Sequence, residues 1–384
     1  MGKRAMPPLQ LLIKPASGNC NLRCRYCFYT DEMEKRETAN YGIMSEETLE
    51  ALVKRALEFA EGSCGFAFQG GEPTLAGLDF YKKLLELQEK YNTKKIRIQN
   101  SIQTNGYKLG EEWAGFLAQN HFLAGVSLDG VVHTHDAYRI DAGGKATFSE
   151  VMKTLELFDR YQVEYNILTV VNRRTAERIS RIYQFYAKHH WKYLQFIACL
   201  DPLEEIPGQR EYSLTPEAYG KFLVELFDLW YLDWKKGIQP SIRMFENYIG
   251  ILMGYIPEAC DQRGHCSLQS VVEADGSVYP CDFYVIDRYW MGNIRDQSLK
   301  EILEKGKTLR FVEASLENRD ECRQCEYGFI CRGGCRRNRQ IDERGTLGLN
   351  YFCSSYKMFF QAALPRMGEI AQELSRRQQG ERRL

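Results

Sequence analysis

The sequence lacks a net charge, a long apolar run and a large number of histidines. Its 384 residues include 51 Lys and Arg, 51 Asp and Glu, and 6 His. A neutral balance excludes functions driven by bulk electrostatics, such as coating nucleic acid or an anionic membrane. No stretch reaches the roughly 18 apolar residues of a membrane span, and the apolar run Leu11–Ile13 is too short for the core of a secretory signal. We therefore expect a cytoplasmic protein with no nucleic-acid or membrane partner.

Cysteine, in contrast, is abundant, with 13 residues that fall mostly into three groups. In a reducing compartment, thiols serve metal binding or catalysis more often than disulfides. Cys64 and Cys199 stand apart inside apolar segments, and we expect them to be small buried hydrophobic residues. The three groups are Cys20, Cys24 and Cys27; Cys260, Cys266 and Cys281; and Cys322, Cys325, Cys331, Cys335 and Cys353.

Between the first two cysteine groups, short apolar segments alternate with amphipathic ones. The amphipathic segments predict helices, the first with Ser45 as its N-cap. This alternation predicts an α/β fold with a parallel sheet, and periodicity leaves open whether the sheet is doubly wound or an incomplete barrel. The six predicted strands cover residues 9–15, 64–69, 95–104, 122–129, 163–171 and 192–199.

The pattern changes after residue 214. Long helical segments come first, and after Cys260 the chain becomes Gly-punctuated and rich in cysteine, with SVVEADGSVYPCDFY predicting a small hairpin. Bound metal, more than an apolar core, is expected to hold this region together. We expect an α/β domain at 1–235, a cysteine-rich domain at 236–355, and a C-terminal helix with a basic tail at 356–384.

The first cysteine group, CNLRCRYC, places three thiols directly after the first predicted strand, with three and two residues between them. This spacing suits three of the four ligands of one cubic 4Fe-4S cluster, which leaves one iron open. A zinc knuckle is the alternative, and it requires a fourth protein ligand that the segment does not contain.

This motif, with an aromatic residue before its third cysteine, resembles the signature of the radical S-adenosylmethionine family. GGEP at 70–73, after the second predicted strand, is similar to the segment that lies against the cofactor in that family. The resemblance implies a partial (β/α)6 TIM-like barrel and S-adenosylmethionine bound at the open iron. The alternative to cofactor contact is a strand-end cap for Ser127 and a surface ion pair for Arg139. The implied cofactor contacts are Tyr26, Gly71, Ser127, Arg139 and Leu200.

Three further polar residues, Gln69, Gln103 and Asn105, follow predicted strands. Barrels of this type keep their chemistry at the carboxyl ends of the strands. The sequence does not assign a role to any of the three.

The eight later thiols resemble the SPASM extension of radical S-adenosylmethionine enzymes. That extension implies two auxiliary 4Fe-4S clusters, and therefore three clusters in all. Eight cysteines match two fully ligated clusters, although spacing alone does not say which four share a cluster. The resemblance assigns Cys260, Cys266, Cys281 and Cys335 to the nearer cluster, and Cys322, Cys325, Cys331 and Cys353 to the farther one.

Five arginines interleave with the last group of thiols. Guanidinium groups beside a ligated cluster would stabilise its negative charge, while the alternative is a solvated basic face. These residues are Arg323, Arg332, Arg336, Arg337 and Arg339.

Asp282 directly follows Cys281 in YPCDFY, where partial burial between aromatic residues favours a general base. The alternative is an aspartate that binds backbone amides in a turn. Tyr29 and Tyr284 are candidates for the substrate pocket, with ordinary packing as the alternative.

Several segments closely resemble anaerobic sulfatase-maturating enzymes, among them 66–75, 101–106, 194–203 and 275–285. The resemblance implies oxidation of a Cys or Ser side chain in a sulfatase Cys/Ser-x-Pro-x-Arg segment to Cα-formylglycine. It implies Asp282 as the base, the auxiliary clusters as electron acceptors, a sulfatase polypeptide as partner, and an electron donor such as flavodoxin or ferredoxin.

Two alternatives stay open. One is another SPASM enzyme that forms a thioether or a side-chain crosslink in a peptide, because specificity depends on the pocket and not on the fold. The other is a non-catalytic iron–sulfur or zinc module. Such a module needs four protein ligands at every cluster, and the CNLRCRYC triplet supplies three.

Overall fold

The computed structural model describes residues 8–316, 320–341 and 347–381. Residues 382–384, the end of the predicted basic tail, lie outside this part of the chain. The chain forms two compact units from discontinuous stretches. The first unit contains the described residues up to 127, with 136–166 and 267–311, and the second contains the other described residues.

Twelve strands lie within the described residues. The first six match the six predicted strands to within two residues at either end. The strands are β1 Leu9–Ile13, β2 Ser63–Phe68, β3 Arg97–Thr104, β4 Leu123–Ser127, β5 Tyr165–Val171, β6 Tyr193–Ala198, β7 Ser241–Ile242, β8 Val271–Val272, β9 Ser277–Tyr279, β10 Gly292–Asn293, β11 Arg339–Ile341 and β12 Leu347–Asn350.

The described residues also form sixteen α-helices and three short 3-10 helices. The predicted N-cap is confirmed, because Ser45 Oγ accepts a hydrogen bond from Thr48 N–H at 3.2 Å. The α-helices are α1 Phe28–Glu34, α2 Glu46–Phe59, α3 Leu78–Tyr91, α4 Glu111–Gln119, α5 Val132–His135, α6 Phe148–Tyr161, α7 Arg173–Ala176, α8 Ile179–Lys188, α9 Pro216–Lys236, α10 Arg243–Leu252, α11 Cys260–Arg263, α12 Leu299–Thr308, α13 Phe311–Ser315, α14 Asp320–Arg323, α15 Gly328–Cys331 and α16 Cys353–Glu381. The 3-10 helices are Pro73–Ala76, Asp287–Tyr289 and Arg336–Asn338.

In the first unit, β1, β2, β3 and β4 are parallel neighbours in that order. Buried apolar side chains such as Leu11, Ile13 and Phe66 alternate along the strands and form the core. Because the strands run parallel, their carboxyl ends lie at one edge of the sheet. The loops that follow β1, β2 and β3 therefore come together at this edge.

The predicted hairpin in the cysteine-rich sequence is confirmed as β8 and β9, which pair antiparallel. β8 also pairs parallel with β1, on the side opposite to β2. The hairpin thus extends the sheet beside the first strand. The residues that follow β9, including Cys281 and Asp282, belong to the same compact unit as the first cysteine group.

In the second unit, β6 and β7 are parallel neighbours, and β6 also pairs parallel with residues 167–171 of β5. The long helices α9 and α16 pack together through aromatic pairs, such as Phe227 and Phe359, whose ring centroids lie 5.9 Å apart. α16 starts at Cys353, three residues before the predicted helix. None of the helices within the described residues is long and apolar enough to cross a membrane.

A fully buried ion pair connects the segment after α1 to the β8–β9 hairpin. Arg36 Nη1 lies 2.8 Å from Glu273 Oε1, and neither side chain is exposed to solvent. We predict that Arg36→Met lowers the free energy of unfolding by about 3–5 kcal/mol, because it leaves the Glu273 carboxylate buried without a partner. Urea denaturation of the two proteins measures this difference.

The matched control is Lys82→Ala, which removes an exposed ion pair with Asp79 in the same unit. This control should leave the denaturation midpoint unchanged, since water screens exposed pairs. Equal effects of the two substitutions would contradict the prediction.

Candidate active site and cluster sites

The first cysteine group forms a loop between β1 and α1. Cys27 N–H donates to Cys24 O at 3.1 Å, and α1 begins at the next residue. All three thiols are partly buried, and they line one cavity of about 620 Å³. The structure therefore brings the three predicted cluster ligands to one space, although their ligation stays a prediction.

Burial dominates the electrostatics of these thiols. It raises the pKa of Cys20 to about 11, with smaller contributions from the charges of Glu72 and Cys27. Burial also raises the pKa of Cys27. Thiolates gathered in such a site need positive charge to become stable, and bound iron supplies it. The donor set and its burial therefore fit an iron–sulfur cluster.

Gly71 packs against the same loop, as predicted for the GGEP segment. Its φ is +34°, and a Cβ at this position would lie 2.2 Å from the backbone oxygen of Asn19. No other residue fits this close approach. Glu72 N–H also donates to Asn19 O at 2.8 Å, so the backbone of GGEP is fixed to the cysteine loop.

Two of the other predicted cofactor contacts lie beside Cys24. Arg139 Nη1 is 4.0 Å from Cys24 Sγ, and its guanidinium carbon is 5.5 Å from the ring centroid of Tyr26. Ser127 ends β4 and accepts a hydrogen bond from Gln103 Nε2 at 3.2 Å. Leu200 follows β6 in the second unit. Cofactor contact by these residues stays a prediction.

Asp282 lies in a buried polar cluster, only part of which the sequence indicates. Gln69 Nε2 donates to its Oδ2 at 2.6 Å. Lys14 Nζ lies 2.6 Å from Oδ1 as an ion pair, although the two atoms are not aligned as a hydrogen bond. Lys14 is fully buried, and its Nζ is 3.4 Å from the ring centroid of Tyr29. Asp282 is thus held as a buried, paired carboxylate and is not a surface turn residue.

Neither Lys14 nor a role for Gln69 is evident from the sequence motifs. The signal for Lys14 was present, because a lysine that directly continues the apolar strand LQLLI is unusual in a buried position. Its partner, however, lies far along the chain and is invisible to any local pattern.

A second buried carboxyl group, Glu32 on α1, belongs to the same electrostatic environment and was also missed. Burial raises its pKa to about 8; the Asp282 charge adds to the rise, and the Lys14 charge opposes it. Its Oε1 accepts a hydrogen bond from Val285 N–H at 3.2 Å. Burial therefore favours the protonated, uncharged form of Glu32.

In the second unit, the structure gathers the four cysteines assigned to the farther cluster. They line one cavity of about 440 Å³ together with aromatic residues that include Tyr356 and Phe360. Burial raises the pKa of Cys331 to about 11, and charges on the other three thiols add to it. The four cysteines are Cys322, Cys325, Cys331 and Cys353.

Three of the four cysteines assigned to the nearer cluster also lie in the second unit. Burial raises the pKa of Cys335, and the charges of Asp261, Cys260 and Cys266 raise it further. The fourth, Cys281, lies in the first unit. No three His, Cys, Asp or Glu side chains among the described residues are close enough to hold one metal ion.

The raised pKa of Glu32 predicts a specific pH dependence of stability. Folded Glu32 holds its proton more tightly than unfolded Glu32, so its contribution to stability falls as pH rises from 4.5 to about 8. Glu32→Gln removes this titration and keeps the shape. The unfolding free energy of the variant minus that of the parent should therefore increase across this range, with a slope approaching about 1.4 kcal/mol per pH unit.

Urea denaturation at a series of pH values measures the slope. Glu34→Gln, which changes an exposed carboxyl group of the same helix, is the matched control and should show no slope. A pH-independent difference for Glu32→Gln would refute the prediction.

Two family models match the chain. The radical SAM superfamily model matches residues 15–186, and the SPASM model, an iron-sulfur cluster-binding domain, matches residues 263–326. These matches imply iron–sulfur clusters and S-adenosylmethionine binding, and they confirm the predicted α/β fold class.

The chain is 49% identical over 369 residues to the cysteine-type anaerobic sulfatase-maturating enzyme of Clostridium perfringens, covering 96% of this chain and 100% of the relative. It is 33% identical over 389 residues to the serine-type enzyme of Bacteroides thetaiotaomicron, covering 97% of this chain and 93% of the relative. A solved structure of native anSMEcpe with bound AdoMet and Cp18Cys peptide matches with a TM-score of 0.91 and 49% identity, covering 96% of this chain and all of that chain. The chain therefore belongs to the anaerobic sulfatase-maturating enzymes of the radical S-adenosylmethionine superfamily.

Proposed function

We propose that this enzyme oxidises a peptidyl cysteine in a sulfatase Cys/Ser-x-Pro-x-Arg segment to Cα-formylglycine. The observation that carries the proposal is Asp282, a buried carboxylate paired with Lys14 and Gln69 in the same compact unit as the cysteine triplet. The family supplies the reaction class, and a base at this position supplies the proton transfer that the reaction needs.

The chain offers residues to hold three 4Fe-4S clusters and S-adenosylmethionine. The cysteine triplet provides three ligands for the first cluster, and the eight later cysteines provide four ligands for each of two more. When bound, these groups supply a 5′-deoxyadenosyl radical that removes a hydrogen atom from the substrate Cβ, and an acceptor for the electron that remains. Tyr26, Gly71, Ser127, Arg139 and Leu200 are the proposed cofactor contacts.

Asp282 then has one task, which is to take the proton of the substrate thiol at a carboxylate oxygen. Loss of one hydrogen atom, one proton and one electron converts the Cys side chain to a thioaldehyde, and water replaces its sulfur to give the aldehyde and hydrogen sulfide. Gln69 holds Oδ2 by its hydrogen bond, and Lys14 fixes the carboxylate by its charge. A base held in one orientation is ready for proton transfer without rearrangement.

Tyr29 is a proposed substrate contact. It lines the same cavity as the cysteine triplet, and its buried hydroxyl has no hydrogen-bond partner within the described residues. An unpaired buried hydroxyl is costly unless a ligand satisfies it.

Cysteine is the preferred target in this proposal. The chain shares 49% identity with the cysteine-type relative and 33% with the serine-type relative. The serine reaction follows the same oxidation with oxygen in place of sulfur, so preference depends on the pocket and not on the clusters.

We infer a flavodoxin or ferredoxin as the electron donor, because the first cluster must be reduced before it cleaves the cofactor. We also infer a cytoplasmic location, because thiols must stay reduced to bind iron. We also retain the division into an α/β domain at 1–235, a SPASM-type domain at 236–355 and a terminal helix from 356.

We predict that the anaerobically reconstituted protein holds about twelve irons, from three four-iron cubes. The double variant Cys325→Ala with Cys331→Ala should lose about four of them. Iron analysis measures both numbers, and the double variant Cys64→Ala with Cys199→Ala is the control that should keep the full content. Zinc without iron in the parent protein would overturn the cluster proposal.

We also predict that the reduced enzyme, given S-adenosylmethionine and a Cys-x-Pro-x-Arg peptide, yields 5′-deoxyadenosine and a peptide aldehyde. Asp282→Asn should keep cofactor cleavage and reduce aldehyde formation by about 10²–10⁴-fold, since its amide accepts no proton. Hydrazide trapping and mass spectrometry measure the aldehyde.

Asp296→Asn, at an exposed position of the same unit, is the control that should behave like the parent. Deoxyadenosine with a crosslinked peptide and no aldehyde would replace the proposal by the crosslinking alternative. Unchanged aldehyde from Asp282→Asn would remove Asp282 from the mechanism.

A further inference from the structure

Asn105 connects the end of β3 to the first cysteine loop. The residue is nine-tenths buried, and its side-chain amide faces Cys20. Its Nδ2 donates to Asn21 Oδ1 at 2.7 Å and to Cys20 Sγ at 3.7 Å. Both amide hydrogens are therefore used on the cysteine loop.

The orientation of this amide is fixed by its neighbours. Tyr107 N–H donates to Asn105 Oδ1 at 2.8 Å, so the oxygen points away from Cys20 and the nitrogen points toward it. The reverse orientation would place an oxygen acceptor against a thiolate and would leave the Tyr107 N–H without its partner. The donor to Cys20 is thus determined by the local hydrogen bonds.

Glu72 of the GGEP segment holds the backbone of Asn105. The Asn105 N–H donates to Glu72 Oε2 at 2.8 Å, while Oε1 accepts from the hydroxyl groups of Thr104 and Thr74 at 2.8 and 2.7 Å. Glu72 is fully buried. Asn105 is therefore held rigidly at the point where the second and third strands end beside the cysteine loop.

We propose that Asn105 donates an N–H···S hydrogen bond to the Cys20 thiolate and thereby raises the reduction potential of the cluster that this thiolate ligates. An added electron increases the negative charge on the ligating sulfurs, and a fixed donor stabilises the reduced state more than the oxidised one. Leu22 N–H makes a second such bond to Cys20 Sγ at 3.4 Å. The inference rests on the proposed cluster at the cysteine triplet.

The test is an anaerobic redox titration of the reconstituted enzyme, with the electron paramagnetic resonance signal of the first cluster as the readout. Asn105→Ala should lower the ratio of reduced to oxidised cluster about tenfold at a given potential. This corresponds to a midpoint potential about 59 mV more negative for a one-electron couple. An intact cluster with an unchanged midpoint would overturn the proposal.

A second variant separates tuning from support of the loop. Asn105→Asp keeps the acceptor for Tyr107 N–H and removes both donors, so it should lower the midpoint at least as far as Asn105→Ala. If Asn105→Ala loses iron, the midpoint potential of Asn105→Asp is the measurement that tests the proposal. Loss of the first-cluster signal in both variants would show that Asn105 only supports the loop, and would overturn the proposal.

Two controls complete the experiment. Asn21→Ala removes the competing acceptor and leaves the bond to Cys20, so it should not lower the midpoint. Asn100→Ala removes an amide of the same strand that pairs with Gln88, and it should also leave the midpoint unchanged. Equal decreases in all variants would contradict the proposal. Aldehyde formation is not the readout, so a parent enzyme that shows the cluster signal and makes no aldehyde would refute the proposed function alone.

Discussion

The parallel pairing of β8 with β1 is the contact on which the candidate active site depends. Lys14 N–H donates to Val272 O at 2.8 Å, and the hairpin that starts there leads on to Asp282. Without this pairing, the fully buried Lys14 ammonium would lose its nearest counter-charge, at a cost of several kcal/mol. One backbone contact thus joins the first strand to the cysteine-rich segment and completes the environment of Asp282.

Burial is the common electrostatic cause across the cysteine groups. It is the largest contribution to the raised pKa of thiols in both compact units, among them Cys20 and Cys331. Neighbouring thiols and carboxylates add to the cost of ionisation and do not relieve it. Such groups suit a centre that brings its own positive charge.

Two polar networks start from different strands of the first unit. Glu72 holds the backbone of Asn105, whose side chain donates to Cys20 Sγ. Lys14 and Gln69 contact the carboxylate of Asp282. In the reaction we propose, the first network bears on the electron that enters and the second on the proton that leaves the substrate. Polar groups that are already fixed in place need no reorganisation when the charge beside them changes.

The sequence by itself determined the six strands, the CNLRCRYC and GGEP loops and the β8–β9 hairpin, because periodicity and spacing are local properties. Short motifs in the sequence also indicated Asp282 as a candidate functional residue and the family to which the protein belongs. Only the tertiary structure decided what holds Asp282 in place, since Gln69 is 213 residues away along the chain. The contacts of Lys14, Glu32 and Asn105 were likewise decided by the tertiary structure. Buried polar groups act through partners that only folding brings within hydrogen-bond distance.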